Sequence, residues 1–548
     1  MIIKRFTSSV LVLLLAVISF HAAGNSISAS EAQATANSFI KSQFKASPGS
    51  IKSPAMADLV LAYAEPMNKK SQANAYYIFN IKGGGFVIVA GDDNATPILG
   101  FSDKGKIDIN NMPEQLNVLL NVYKADMDYL LTHKTSVSKS SNHSFREAVN
   151  VVEPMMKATW GYDAPYNLQC PIYRGKYSKV GCAGVAVAQT VFFWKFPVSW
   201  DAMPAYYAPK LSDSVPALPA TVFDFEKMLP SYCYWDVENQ ELIQDVYTEE
   251  QAYEVAKLCR YCGQALQMNY SPVSTGPQKR RPVVLQELGF SSKAHTIYRK
   301  YYSDEQWLQL MHEELDAGKP IQYTAYNYGS DVGHVIMIDG YNSEEYFHMN
   351  FGWFGHGNGW YQMSAITPTY IDDTPRNYIG NNSFIQGLEP PLFCIINTEL
   401  TLNDGLHLLG EMLTATAGNV DLNMTYRTLP FMFTLTDANG NQVAVSESIT
   451  LNRLTFENHS DISLALTIPE NLPEGTYNLN LNYRTADNKP LTQAVTAEGQ
   501  LHVLGKLAKF GAPFNIEDVI SAIDMVITET GQVDIADVLM IIDYLLEN

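Results

Sequence analysis

The chain has 548 residues, 46% of them hydrophobic and 17% charged, with a net charge of −20 at pH 7. Its length calls for several domains, and its composition is that of globular protein rather than disorder. The acidic balance excludes nucleic acid or an anionic membrane surface as the main partner.

Residues 1–24 read as an export signal. Lys4 and Arg5 form a basic start, residues 10–20 an apolar run too short to span a bilayer, and Ala22, Ala23 and Gly24 a small-residue cleavage site. No cysteine follows to take a lipid, and no later run is long enough for a transmembrane anchor. The protein is expected to be secreted, cell-surface or periplasmic. Its six cysteines are too sparse for a disulfide scaffold. Cys259 and Cys262 form a C-x-x-C on a helical pattern with no second pair or histidine cluster. A plain helix face is the better reading than zinc, and no metal or cofactor is expected.

Residues 25–132 form a first unit. A helical start at 30–44 leads to strands at 75–81 and 85–92, joined by Lys82-Gly83-Gly84-Gly85, a hairpin signal. An amphipathic helix follows at 112–131, with Leu116, Leu119, Leu120, Tyr123 and Met127 on its apolar face. Residues 133–147 are Ser- and Lys-rich and read as an exposed, cleavable linker. A folded unit, a cleavable linker and then a cysteine-bearing domain is a zymogen's layout.

That domain spans 148–390. Val180-Gly181-Cys182 opens a run of small residues ending near Pro197, a buried helix with a cysteine at its start. The helix N-terminus favours thiolate over thiol there. A structural core cysteine is the competing reading. Ser303-Asp304-Glu305-Gln306 is a capping box opening a helix that ends near Gly318. Strands are expected at 321–326, 333–341, 345–350 and 359–363. Helices first and an antiparallel sheet later make an α+β domain. Residues 391–505 alternate in short strands with turns at 437–440 and 487–490, which predicts an immunoglobulin-like β-sandwich. Residues 507–548 hold two short helices, 516–527 and 535–546, each introduced by a similar phrase.

Cys182, His334 and Asn350 occur in the order of a papain-type cysteine protease, with His334 at the start of one strand and Asn350 at the end of the next. Each has a part to play. The thiolate attacks a carbonyl carbon, the imidazole holds the ion pair and then protonates the leaving amine, and the amide orients the ring. Each residue alone would read as structural. Together they favour catalysis.

Four phrases make the likeness specific. They are Trp160 with Pro165-Tyr166-Asn167 and Cys170-Pro171; Gly181-Cys182 with Ala186, Ala188-Gln189 and Pro197; Gly333-His334 with Ile338-Asp339-Gly340; and Phe347-His348-Met349-Asn350 with Gly352-Trp353. With them, residues 148–390 resemble the streptopain family of secreted cysteine proteases, interpain-like enzymes included. Residues 25–132 resemble its inhibitory propeptide through Gly85-Phe86-Val87-Ile88-Val89 and Pro97-Ile98-Leu99-Gly100-Phe101-Ser102. The resemblance implies a papain-like fold, protein or peptide substrates, and the chain's own propeptide as inhibitor. It implies Cys182 as nucleophile, His334 as base and Asn350 as their partner. Trp353 is a supporting residue, and the loop 271–276 with Ser274 and Gly276, together with Gly333, lines the substrate pocket.

Two positions depart from the family. Tyr162 replaces a glutamine associated with the oxyanion hole, and Phe351 replaces a tryptophan after the Asn350 position. Losing one oxyanion donor can cost 10²–10³ in rate. A weakly active or inactive relative that binds peptides or partners is therefore the rival reading, and another acyl transfer on the same scaffold a third. The last repeat resembles a dockerin, which implies a protein partner. Its loop positions for calcium hold Val526, Thr528 and Thr530, and in the first repeat Leu507, Lys509 and Gly511. The tail therefore reads as a degenerate docking module without metal.

Overall fold

The computed structural model describes residues 26–43, 59–67, 73–133, 149–272, 275–326, 333–365, 379, 381–401, 406–473, 475–485, 489–497, 500–504, 515–527 and 535–547. The expected export signal, most of the linker, Ser274 and the dockerin-like loop residues Leu507, Lys509, Gly511, Thr528 and Thr530 lie outside them. The chain divides into two compact units. The first comprises 1–193, 198–285 and 293–388, and the second 194–197, 286–292 and 389–548.

In the first unit, helix α1 (Ala29–Gln43) starts where Ser28 and Glu31 cap each other reciprocally. Ala32, Ala36, Phe39 and Ile40 lie on one face of it and pack on Tyr77, Phe79, Val87 and Val89. Those residues belong to the strands Asn74–Ile81 and Phe86–Ala90, which form an antiparallel meander with Leu59–Pro66 and Ile98–Ser102. Gly83, Gly84 and Gly85 turn the hairpin with φ of 96°, 116° and 100°, a region L side chains rarely enter.

The meander does not end at its own edge. The Ile98–Ser102 strand pairs antiparallel with Gly359–Tyr361, matching Gly100 to Tyr361 and Phe101 to Trp360. The sheet continues through Phe347–Asn350, Gly333–Asn342, Ile321–Tyr326, Ser383–Gln386 and His295–Tyr298. Residues 25–132 and 148–390, separate units in the sequence reading, thus share one 11-stranded sheet. Two glycines permit the join. A Cβ on Gly100 would lie 2.5 Å from the Tyr361 ring, and one on Gly359 2.6 Å from the Phe101 carbonyl. Helix α2 (Glu114–His133) lies over the junction. Its Tyr123 hydroxyl donates to Gln362 O at 2.6 Å, and its Asp126 accepts from Ala365 N and Ser364 Oγ at 2.7 Å.

Helix α3 (Cys182–Trp194) is buried along nearly its whole length, as a run of Ala and Val requires. Cys259 and Cys262 are fully buried on the helix Glu249–Ala265, and all six cysteines are free thiols. Glu249–Ala265 and Asp304–Asp316 both begin with complete capping boxes, at Thr248 and Ser303. The fold of this unit is α+β, as expected.

The second unit is an all-β sandwich followed by two helices. One sheet is Cys394–Thr401, Met412–Met424 and Ser460–Thr467, and the other centres on Thr428–Thr436 and Gly475–Tyr483. Alternate residues from both, among them Leu400, Val420, Phe431 and Leu479, make its core. The helices Ile516–Ile527 and Ile535–Glu547 pack through Val519, Ala522, Val538 and Ile541.

Candidate active site

Gly181 precedes the candidate nucleophile with φ of 82°, and a Cβ there would lie 2.3 Å from Thr275 Cγ2. Glycine is therefore required for the turn into α3 and for the close approach of the loop around 275. That loop's Gly276 has open space about its Cα. Cys182 is the first residue of α3 and keeps partial exposure. The Val335 and Ala183 backbone N–H groups bond to its sulfur. Burial raises the thiol above its ordinary value, and these two donors and the Arg281 charge draw it back.

His334 enters the Gly333–Asn342 strand opposite Ala325. Burial lowers its imidazole below the ordinary value, while the Glu114 charge acts the other way. Burial thus works against the charged form of both thiol and imidazole. Glu114, the first residue of α2, places Oε2 3.6 Å from His334 Nδ1. Its neighbour Gln115 is fully buried and donates from Nε2 to the Tyr162 hydroxyl.

Tyr162 is 5% exposed, its ring edge-on to Trp353 with centroids 4.9 Å apart. Burial and the nearby Cys182 hold the phenol well above its ordinary value, so it remains neutral and keeps a proton to donate. Lys179 Nζ sits 5.1 Å over the other partner of that contact, Trp353. Gly333 could not be larger, since a Cβ would meet Thr324 and Tyr326 at 2.8 Å.

The Asn350 amide is not bonded to His334 in this state. The Asn350 amide donates to Ala158 O at 2.6 Å and Gln189 Oε1 at 3.0 Å, and accepts from Gly352 N at 2.9 Å. None of these partners is His334, because register sets Asn350 opposite Met337. Phe351 is fully buried, its ring edge-on to Tyr361 with centroids 5.4 Å apart.

Three residues of the site escaped the sequence reading. Glu114 and Gln115 look like ordinary first-turn helix residues, and only the shared sheet carries them to the thiol. Arg281 opens the short helix Arg281–Glu287 within a basic run that gives no sign of being half-buried beside a cysteine.

A partly exposed thiol thus stands at a helix start, with Glu114 of the preceding segment 3.6 Å from the histidine of the Gly333–Asn342 strand. Residues 160–361 match the Peptidase C10 family and residues 24–127 match the Spi protease inhibitor family, so a C10 peptidase domain follows a Spi-type inhibitor domain in this chain. Streptopain of Streptococcus pyogenes is 23% identical over 345 residues, covering 57% of this chain and 80% of streptopain. The thiol protease/hemagglutinin PrtT of Porphyromonas gingivalis is 21% identical over 444 residues, 75% of this chain and 48% of its own. Among solved structures, a prointerpain A fragment of Prevotella intermedia is 23% identical, with a TM-score of 0.47, covering 60% of this chain and 98% of that one. Active interpain A of the same organism is 28% identical, with a TM-score of 0.36, over 43% and 94%.

Proposed function

We propose that the chain is an exported cysteine endopeptidase made as a zymogen, with Cys182 as nucleophile and His334 as base. The observation that carries this reading is the placement of Glu114 and Gln115. The head of α2 meets His334 and Tyr162 beside Cys182, where a substrate's scissile bond would lie. Once the inhibitor domain leaves, the imidazole is free to turn to the sulfur and take its proton. The thiolate then attacks the carbonyl carbon, and the imidazolium protonates the departing amine. Water, deprotonated by His334, releases the acyl group. The oxyanion forms beside the Cys182 backbone N–H and the Tyr162 hydroxyl, which Gln115 has vacated. Asn350 would orient the ring only after its amide leaves Ala158 and Gln189, and Trp353 packs edge-on against Tyr162. Gly276 and Gly333 are assigned to the substrate cleft.

Among the described residues no helix is long and apolar enough to cross a membrane, and export rests on residues 1–24. The C-terminal hairpin serves as a degenerate docking module for a protein partner. The reading is tested by incubating purified chain with casein beside Cys182→Ala and His334→Ala. Cleavage by the unaltered chain alone supports it. Casein left intact by all three, with the chain fully processed and folded, would favour the peptide-binding relative.

A further inference from the structure

Removal of residues 25–132 strips the Ile98–Ser102 strand from the shared sheet and leaves its neighbour, Gly359–Tyr361, as an edge. In the precursor that edge is capped. Trp360 pairs with Phe101 and Tyr361 with Gly100. The Gln362 N–H donates to Leu99 O, and Ala365 O accepts from Thr96 N, both at 2.9 Å. Trp360 packs against the inhibitor domain's apolar core. Tyr346 sets its ring edge-on to Phe101 with centroids 5.1 Å apart, and its hydroxyl donates to Ile98 O at 3.0 Å. Once the cap leaves, a row of backbone donors and acceptors stands bare beside two aromatic side chains. Such an edge is a template for another strand.

The edge is selective about what it takes. Tyr361 is fully buried, its hydroxyl donates to Gly357 O at 2.5 Å, and its ring lies edge-on to Phe351. So held, it leaves no room for a side chain across from it: a Cβ on Gly100 would lie 2.5 Å from the ring. An incoming strand must therefore set glycine opposite Tyr361. Its next residue falls opposite Trp360, where the inhibitor domain offers Phe101. The edge itself carries the same phrase, glycine then aromatic, in Gly359-Trp360. An antiparallel second copy centred on Trp360 sets each copy's Gly359 opposite the other's Tyr361, and Trp360 opposite its counterpart. The hydrogen-bond phase agrees. Gln362 points its N–H at the inhibitor strand, so Trp360, two residues back, also points its backbone outward, and the two copies of Trp360 meet as a hydrogen-bonded pair. Centring on Tyr361 keeps the phase but sets one Tyr361 against the other, where only glycine fits.

We propose that, once the inhibitor domain has left, two copies of the chain pair through this edge, antiparallel and about a two-fold axis at Trp360, into one continuous sheet. The inference rests on the reading that residues 25–132 are lost on activation. The second copy takes the place of the Ile98–Ser102 strand, so pairing and the return of the inhibitor domain exclude each other. The precursor stays single because its edge is filled. The processed chain, once paired, resists a released inhibitor domain.

The test is sedimentation velocity over a concentration series. The samples are full-length Cys182→Ala precursor and processed chain alkylated at Cys182 by iodoacetamide, with loss of residues 25–132 confirmed by mass spectrometry. The precursor should sediment as a monomer throughout, and the processed chain should shift to twice that mass as concentration rises. Two variants should leave the processed chain monomeric with kcat/KM unchanged: Trp360→Lys, which sets like charges opposite each other, and Gln362→Pro, which removes an outward N–H. A synthetic peptide of residues 96–104 should return the unaltered dimer to monomer, and the same peptide with Gly100→Val should not. A processed chain that stays monomeric at every concentration overturns the proposal; if it binds the 96–104 peptide all the same, the edge takes extended segments of other proteins instead. A dimer that persists in both variants and in the peptide also overturns it, since that dimer uses another surface. If Trp360→Lys does not fold, Gln362→Pro and the peptide decide on the same terms. A chain that cleaves casein while keeping residues 25–132 refutes the zymogen reading and this proposal with it, and mass spectrometry tells that outcome from the others.

Discussion

Replacing Gln115 by alanine should open the latch. Gln115 is fully buried and its amide is the partner of the Tyr162 hydroxyl, itself 5% exposed. Removing the amide leaves a buried hydroxyl without that bond, at a cost of about 1–3 kcal/mol. Glu114 contributes less. Its side chain is 65% exposed, so its 3.6 Å approach to His334 is screened, and such pairs are worth ~1 kcal/mol at most. If the blocked and open forms exchange faster than the thiol reacts, labelling follows the open population. Gln115→Ala should then raise the labelling rate of Cys182 in the uncleaved precursor roughly 5- to 150-fold, and Glu114→Gln by about 5-fold or less. The assay is a time course with a thiol-reactive epoxide, read by mass spectrometry. Asn117→Ala, on the exposed face of the same helix, is the control. Equal labelling rates for Gln115→Ala and Asn117→Ala, with both precursors folded, would refute the reasoning.

Tyr162→Phe should lower kcat of the processed enzyme by about 10- to 100-fold with KM little changed if the hydroxyl that Gln115 bonds becomes an oxyanion donor; unchanged steady-state kinetics on a peptide substrate would show that it only packs. Acid should loosen the inhibitor domain through His356, whose Nε2 accepts the Asp108 N–H at 3.1 Å and whose burial lowers it to about 4. The undocked ring binds its proton first, near 6.5, so docking is at full strength above that pH and weakens as pH falls from about 6.5 to about 4. Precursor labelling should rise over that window, and His356→Gln should flatten the rise. Gly100→Val should loosen the precursor, since its Cβ meets the Tyr361 ring, while the processed enzyme, which has lost residue 100, keeps its kcat/KM.

Most elements were legible because their signals are local. The Gly181-Cys182 turn and the small-residue run gave α3, the capping box at Ser303 gave the Asp304–Asp316 helix, and the alternation in 321–326 and the apolar run at 335–338 gave the Ile321–Tyr326 and Gly333–Asn342 strands. An inhibitory propeptide was expected from the sequence, but the shared sheet that joins it to the later strands was not legible. It depends on Gly100 pairing with Tyr361, far along the chain, and neither strand carries a local sign of the other. The same distance hid Glu114, Gln115 and Arg281, polar residues whose surroundings exist only after the sheet closes. Asn350 shows the converse. Its place in the motif was plain, yet its amide is held by Ala158 and Gln189 while Glu114 faces His334.

The central claim is that one thiol does the cutting and that residues 25–132 hold it shut. The most direct measurement follows purified full-length precursor over time, with loss of the inhibitor domain and casein cleavage recorded on the same samples. The account predicts a lag, then activity rising in step with that loss, and neither event in Cys182→Ala. Full casein cleavage by intact precursor from the first time point, or equal cleavage by Cys182→Ala, would contradict it.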